Sequence, residues 1–317
     1  MLILVTPIMV VLLIVFAIIA LCKKWKLTSA LLLLACILLN ALTQTFALHP
    51  FGNGIDTHKG KDVLRVMTYN IHDEGDSLGG KLDEFVKSID ELNVDVLVLC
   101  EVDTPYKSPL RFELNKVFSH YSYLKAHSTS PTQVFSKYPL NNVYQFWYYD
   151  ENGEPKTSGT WLMNLHTPQR EIKFTACHFS SNRDGLKKKL AGSFISWLYT
   201  NDEFFESLKL GYIKRGLEAE TLRDSLNKYD IPKIVVGDFN DIGGSYTVNQ
   251  IMGSELSDAW WKGGFGFGFT YDMYQLLLRL DHILYSDKDI ELMGVKVLKD
   301  WKYSDHYPLV ADFKIKP

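Results

Sequence analysis

Two stretches near the N-terminus are apolar on every face. The first 22 residues carry no charge, and Leu27 to Leu48 form a second uncharged run. Each is long enough to cross a hydrocarbon core as a helix. Neither shows a polar stripe, which makes two core helices of a soluble domain the weaker reading. Between them lies Cys22-Lys23-Lys24-Trp25-Lys26. Three lysines in so short a loop place it in the cytoplasm, so the pattern predicts a transmembrane hairpin, with spans at about 2–22 and 27–48 and the rest of the chain extracytoplasmic. A cleaved signal peptide is the rival reading, opposed by the missing basic n-region and by the second span. Leu33-Leu34-Ala35-Cys36 resembles a lipoprotein cleavage box only faintly, because Ile37-Leu38-Leu39 continues the apolar run. Residues 49–61, with Pro50, Gly52, Gly54 and Gly60, read as a flexible linker.

From residue 62 to 317 the pattern changes to short apolar runs, many of them β-branched or aromatic. Strands are expected at Val63–Ile71, Val94–Glu101, Gln133–Lys137, Asn142–Tyr148, Gly159–Leu165 and Ile172–Phe179, then at Lys233–Gly237, Asp281–Tyr285, Ile290–Leu298 and Leu309–Ile315. Helical spacing appears at Leu82–Leu92, Leu186–Tyr199 and Glu203–Tyr229, the last expected to break near Gly211 or Gly216. Strand clusters separated by helices point to layered α/β (α+β) architecture in one large domain.

Six of these runs meet polar residues abruptly. Val66-Met67-Thr68-Tyr69-Asn70 ends in an amide, Val96-Leu97-Val98-Leu99-Cys100-Glu101 in a carboxylate, and Phe174-Thr175-Ala176-Cys177-His178 in an imidazole. Ile234-Val235-Val236-Gly237-Asp238-Phe239-Asn240 reaches an acid and an amide through a glycine. Arg279-Leu280-Asp281-His282 heads one strand, and Ser304-Asp305-His306-Tyr307-Pro308 heads another. Any one of these could be ordinary turn punctuation. Polar groups at the ends of six buried strands instead predict a shared, solvated cleft, because burying them unpaired is costly.

In order, TYN, CEVD, CHFSSN, GDFN, RLDHIL and SDHYP resemble the endonuclease/exonuclease/phosphatase superfamily, whose members include deoxyribonuclease I-like nucleases, neutral sphingomyelinases and inositol polyphosphate 5-phosphatases. Phe135-Ser136-Lys137-Tyr138-Pro139 is similar to the family's S-R/K-Y-P strand, and Gly264 to Tyr271 to its Gly-rich loop bearing a threonine. GDFN together with SDH carries most of the specificity. The resemblance covers residues 62–317 and implies a four-layer α/β/β/α sandwich, preceded here by the two-helix hairpin. It also implies a divalent-metal-dependent phosphoesterase.

Oxygen donors suit a hard cation, so Asn70 and Glu101 would hold Mg²⁺ or Mn²⁺, with Asp305 a further or alternative ligand by analogy with the family. Asp238 would orient or deprotonate the attacking water and Asn240 would fix its geometry. His306, paired with Asp281, would contact the scissile phosphate, and His178 would be a second phosphate donor. His178, Asn182 and Asn240 form the expected substrate-binding set, and Arg279 would support the site from behind or form a structural salt bridge. His282, where the family often has another residue, is read as variation.

The chain's net charge is −3, and removing Lys23, Lys24, Lys26, Lys59 and Asp56 leaves the large domain more acidic still. That sign disfavours an extended nucleic-acid footprint without excluding one, since a local patch and bound cations can supply positive field. The substrate that the resemblance implies is a phosphate ester drawn from nucleic acid, phospholipid headgroup or small ester. A membrane is the other partner, with no obligate protein partner implied. A catalytically inactive, membrane-anchored binding module is the alternative function, opposed by the presence of Asp238, Asn240, Asp281, Asp305 and His306 together.

Several other residues take the plainer reading. His72, Asp73, Glu74 and Asp76 are expected to be solvated turn residues, and Trp147, Tyr148 and Tyr149 to pack on a sheet. Trp260, Trp261 and the loop phenylalanines could form a substrate wall or touch a bilayer. Cys100 and Cys177 are expected as small core residues, not a redox pair.

Overall fold

A computed structural model describes residues 6–52, 54–55, 59–60, 62–72, 78, 80–102, 109–121, 132–150, 152–181, 202–273 and 276–316. Two helices, α1 (Thr6–Cys22) and α2 (Lys26–Thr43), lead the chain. They form a hairpin whose seam is made of small side chains: Ala17, Ala20 and Ser29 are buried, and Ser29 Oγ donates to the Ala17 carbonyl at 3.0 Å. Among the described residues no helix is long and apolar enough to cross a membrane; α1 is described over 17 residues and α2 over 18.

The expected second span, 27–48, is too long. Helix α2 stops at Thr43 because Gln44 turns into the left-handed region, and the Asn40 side chain takes up the Phe46 backbone, donating to its carbonyl at 2.8 Å and accepting its N–H at 2.7 Å. Ala47–Leu48 (β1) then pairs antiparallel with Phe265–Gly266 (β11), with Ala47 fully buried. Phe46 meets the Phe265 and Phe267 rings edge-on. Gly244, at φ +74°, sits so close to Thr43 that an added Cβ would lie 2.3 Å from the Thr43 carbonyl oxygen. The hairpin therefore docks on the large domain before the linker begins.

Among the described residues, two six-stranded sheets make the large domain. The first has β2 (Val63–Asn70), β3 (Val96–Cys100), β4 (His120–Tyr121), β5 (Gln133–Ser136), β15 (Ile290–Val297) and β16 (Leu309–Ile315), in the order β15-β16-β2-β3-β5-β4. The second has β6 (Leu140–Tyr149), β7 (Pro155–His166), β8 (Glu171–His178), β9 (Lys233–Asp238), β10 (Ser257–Asp258) and β14 (Asp281–Tyr285), ordered β10-β14-β9-β8-β7-β6. A small pair, β12 (Tyr271–Met273) and β13 (Leu276–Leu278), stands apart.

Alternation along each strand separates the layers. Val66, Val96, Val98, Phe174, Ala176, Val236 and Ile283 pack between the sheets. Met67, Leu97 and Leu99 face α3 (Leu82–Glu91) and α4 (Pro109–Val117), while Cys177, Val235 and Leu284 face α5 (Asp202–Leu226) and α6 (Tyr246–Met252). The expected four layers are present. Helix α5 runs unbroken through Gly211 and Gly216, contrary to the expected break, since a helix packed on a sheet absorbs the cost of about 1 kcal/mol per interior glycine. The expected helix at Leu186–Tyr199 lies outside the described residues.

Each sheet has one central parallel pair, β2 with β3 and β8 with β9, joined by chain that includes a helix on its outer face. Parallel neighbours end at the same edge. The carboxyl ends of all four strands thus meet at one end of the sandwich.

Candidate active site

Strand register brings the polar ends together. Asn70 pairs with Cys100, so Glu101 is the next residue beside it. On the facing sheet His178 pairs with Asp238, and Asp238 pairs on its other side with Asp281. Gly237 is needed inside this strand. Its φ is +144°, and a Cβ there would fall 1.9 Å from the Cys177 carbonyl oxygen.

Two residues leave their strands with unusual backbones. Glu101 has φ 54° and Asn240 φ 49°, left-handed conformations that cost a non-glycine residue free energy and are held by surrounding contacts. Asn240 is fixed on both sides: its N–H donates to Asp238 Oδ1 at 2.8 Å and its Nδ2 to the Phe179 carbonyl at 2.9 Å. Asn240 thus joins the end of β9 to the end of β8.

The carboxylates form two overlapping groups. Ligand atoms of Glu101, His178 and Asp238 lie within 4.8 Å of one another, as do those of Asp238, Asp281 and His306. Asn70 spans the first group through its amide nitrogen, 3.0 Å from Glu101 Oε1 and 2.9 Å from Asp238 Oδ2, while its Oδ1 accepts the His72 N–H. His306 Nδ1 and Asp281 Oδ2 are 2.8 Å apart, the expected pair, and His306 Nε2 stands 3.9 Å from Asp238 Oδ2. Tyr271 lies 4.7 Å from the His306 ring, centre to centre. Thr270 Oγ1 accepts the Leu280 and Asp281 N–H groups and so sets the start of β14.

Electrostatics follow from packing acids and imidazoles into so little space. Burial pushes the Asp238 carboxyl up and Asp281 adds to it, against the lowering effect of His306, His178 and Asn70. Burial would push His306 down, but Asp281, by charge and hydrogen bond, with Asp238 and Asp305, raises it to about 9. His178 is likewise raised, by Glu101 and Asp238, against its burial. Its Nε2 is buried 3.6 Å from Glu101 Oε1, an ion-pair distance without a hydrogen bond. One Asp281 oxygen is buried without a partner as well.

A hard divalent cation fits this donor set. Glu101 and Asp238 would supply adjacent carboxylates and Asn70 an amide oxygen after a half-turn of its side chain, while His178 stands beside them as a nitrogen donor for a phosphate.

Other expectations land elsewhere. Asp305 belongs to neither group; it accepts from Ser304 Oγ at 3.2 Å, and its carbonyl takes the Asp272 N–H. Arg279 takes the structural option: its Nη1 donates to Asp258 Oδ2 at 2.6 Å. His282 joins that buried ion pair through Nδ1, and its Nε2 meets the Asp241 carbonyl at 2.9 Å. Asn182, Asp73, Glu74 and Asp76 lie outside the described residues.

His72, expected in a solvated turn, approaches Glu101 Oε2 at 3.3 Å. Its position two residues past Asn70 was the available signal. Trp147 and Tyr149 are exposed on β6 while Tyr148 is buried, and Trp260 is buried with its Nε1 bonded to the Gly266 carbonyl, so of these aromatics only some pack as expected. Cys100 and Cys177 are free core thiols, as expected.

Residues 67–306 match the sequence profile described as the Endonuclease/Exonuclease/phosphatase family, and the chain belongs to that family. Its activity class is metal-dependent hydrolysis of phosphoric ester bonds. Solved structures of the same fold include the human Nocturnin catalytic domain with bound sulfate, 19% identical, with 85% of this chain and 99% of that one aligned at a TM-score of 0.56. An endonuclease/exonuclease/phosphatase from Bacteroides vulgatus is 17% identical over 81% and 100% of the two chains, at a TM-score of 0.56. Truncated Caenorhabditis elegans TDP2 is 18% identical over 80% and 97%, at 0.55. No curated protein matches the chain.

Proposed function

We propose that the chain is a Mg²⁺- or Mn²⁺-dependent phosphodiesterase that hydrolyses a P–O bond by in-line attack of water, anchored to the cytoplasmic membrane by α1 and α2. The observation that carries the chemistry is the division of the site by Asp238, which belongs both to the Glu101–His178 group and to the Asp281–His306 group. A cation on the first group would neutralise charge at a phosphate oxygen. Asp238, raised in pKa and backed by Asn240, would orient the attacking water and take its proton. His306, raised to about 9 and therefore protonated at neutral pH, is an N–H donor for a non-bridging phosphate oxygen, with Asp281 holding its ring through Nδ1. The acidic chain puts phospholipid headgroups and small esters ahead of long nucleic acid as substrates.

The hairpin supports the membrane assignment through its surface. Ile8, Phe16, Ile18, Leu27, Leu31 and Ile37 are all more than half exposed along α1 and α2, a contiguous apolar area unsuited to water. Lys23, Lys24 and Lys26 favour a cytoplasmic loop and an extracytoplasmic catalytic domain.

The deciding experiment is a panel of nucleic acids, choline phospholipids, inositol phosphates and chromogenic diesters, assayed with Mg²⁺, with Mn²⁺ and with EDTA. Turnover that persists in EDTA, or no turnover of any diester with either metal, overturns the catalytic assignment. Washing membranes with carbonate and then adding protease to spheroplasts tests the anchor. Release of the chain by carbonate, or protection of residues 62–317 from external protease, counts against the anchor or its orientation respectively.

A further inference from the structure

Two buried charged residues on α5 touch none of the reacting groups, yet they grip the chain immediately beyond two of them. Glu218 accepts the Ser180 N–H at 3.1 Å through one oxygen and the Ser180 hydroxyl at 2.9 Å through the other. One helical turn earlier, Arg215 Nη1 donates to the Ser180 carbonyl at 3.0 Å. Both polar groups of the Ser180 backbone are thus held by one helix. Ser180 lies two residues past His178, where β8 has ended and no ladder fixes the backbone.

The same arginine reaches the neighbouring loop. Its Nε is 3.5 Å from Asp241 Oδ2, an oxygen that also accepts the Thr247 hydroxyl at 2.8 Å. Asp241 directly follows Asn240, and the Asn240 side chain is tied to the Phe179 carbonyl. Arg215 and Glu218 are almost wholly buried, at 1% and 2% exposure. Placing two charges there is expensive, and a stability role is a weak explanation for it, because apolar residues of similar volume usually serve as well or better.

We propose that Arg215 and Glu218 are positioning residues: a clamp on α5 that holds the loops after β8 and β9 in register, and through them aims His178 and Asn240 at the substrate phosphate. The proposal rests on the phosphodiesterase reading of the site. The clamp's groups face one another closely. Around Glu218 stand Arg215 on its own helix, His178 and Cys177 on β8, and Tyr148 on β6. Burial raises the Glu218 carboxyl to about 7, offset by the Ser180 bonds and Arg215.

Full-length protein carrying Glu218→Leu, Glu218→Gln or Ser180→Ala tests the clamp by two readouts. Leucine keeps volume but removes both acceptors; misplacement of a catalytic group by about 1 Å can cost on the order of 10²-fold, so kcat on a chromogenic diester should fall at least about 10-fold with little change in KM. The His178 imidazole resonances, read by NMR without substrate, should shift. Glutamine keeps an acceptor for the Ser180 N–H and should restore most of kcat and the wild-type resonances. Wild-type kcat per folded molecule with unshifted resonances in Glu218→Leu, or a glutamine variant no better than leucine, overturns the proposal.

If Glu218→Leu does not fold, Ser180→Ala decides, since it deletes one hydroxyl. A smaller loss of kcat with a His178 shift supports the clamp, and wild-type values for both overturn it. If wild-type protein turns over no diester, the phosphodiesterase reading fails on that result, while the resonances still decide whether the clamp positions His178.

Discussion

Strand β2 carries two buried polar networks, one at each end, and they are built on opposite terms. At its start Arg65 is fully buried and fully matched: Nε and Nη2 each lie 2.7 Å from an oxygen of Asp312, and Asp95 accepts the Arg65 N–H at 2.7 Å while pairing with Lys59. Charges there nearly cancel, and the acceptors are used. At its end, five residues or roughly 17 Å further on, Asn70 enters a cluster where Glu101, Asp238 and Asp281 crowd two imidazoles. In that cluster one Asp281 oxygen and His178 Nε2 have no hydrogen-bond partner. The left-handed backbones of Glu101 and Asn240 occur at this end as well. A fold that satisfies its polar groups so thoroughly at one end has the means to do so at the other. On the proposed function, the unsatisfied end is where a cation and a phosphate would complete the network.

Changing either end should therefore give different failures. The largest effect should come from removing the cation: EDTA should abolish turnover and leave secondary structure intact by circular dichroism, with Mg²⁺ or Mn²⁺ restoring it. Glu101→Gln should need more metal for half-maximal activity, and an unchanged metal requirement would remove Glu101 from the ligand set.

Next is the chemistry itself. Asp238→Asn keeps shape but loses the charge, so kcat should drop by at least about 10² while substrate binding persists. His306→Ala should match that loss, and Asp281→Asn should add little to it, because paired residues act as one unit. Additive losses would mean that the 2.8 Å contact does not operate in turnover.

The opposite end should break differently. Arg65→Met leaves Asp312 buried without its partner, and breaking such a pair typically costs about 3–5 kcal/mol of stability. Thermal unfolding should show it, while kcat per folded molecule stays within about 3-fold of wild type, since additivity holds for sites more than about 10 Å apart. A large fall in kcat would erase the distinction between the two ends.

The smallest effect is in pH. His306 is raised from an ordinary value near 6.5 to about 9, so its contribution to stability is complete below about pH 6.5 and is lost as pH rises through 9. kcat should fall over the same alkaline limb, and His306→Ala should lack that limb. A wild-type profile flat to pH 10 would contradict the protonated donor.

The strands of both sheets and the polar residues at their ends were legible in the chain because burial on both faces writes continuous apolar runs, and an acid or imidazole interrupts them visibly. Asp238, Asn240, Asp281, His306, His178 and Glu101 are all found at one end of the sandwich for that reason. The two N-terminal helices were legible too, though not where the second stops: Asn40 folds back on Phe46 locally, while the close approach of Thr43 to Gly244 involves a surface far along the chain.

Tertiary structure alone decided the rest. Arg279 sits in a matching motif, yet it turns to Asp258, a contact that the motif itself does not reveal. His72 gained its place beside Glu101, and Arg215 and Glu218 theirs behind Ser180, through contacts between elements far apart in sequence. Helical spacing records which residues of α5 are solvated or buried, but not what a buried charge is bonded to. The sequence by itself determined which chemical groups the strands deliver; only the packing of two sheets and their outer helices decided which groups meet, since hydrogen bonds and ion pairs across the cleft join residues that no local pattern relates.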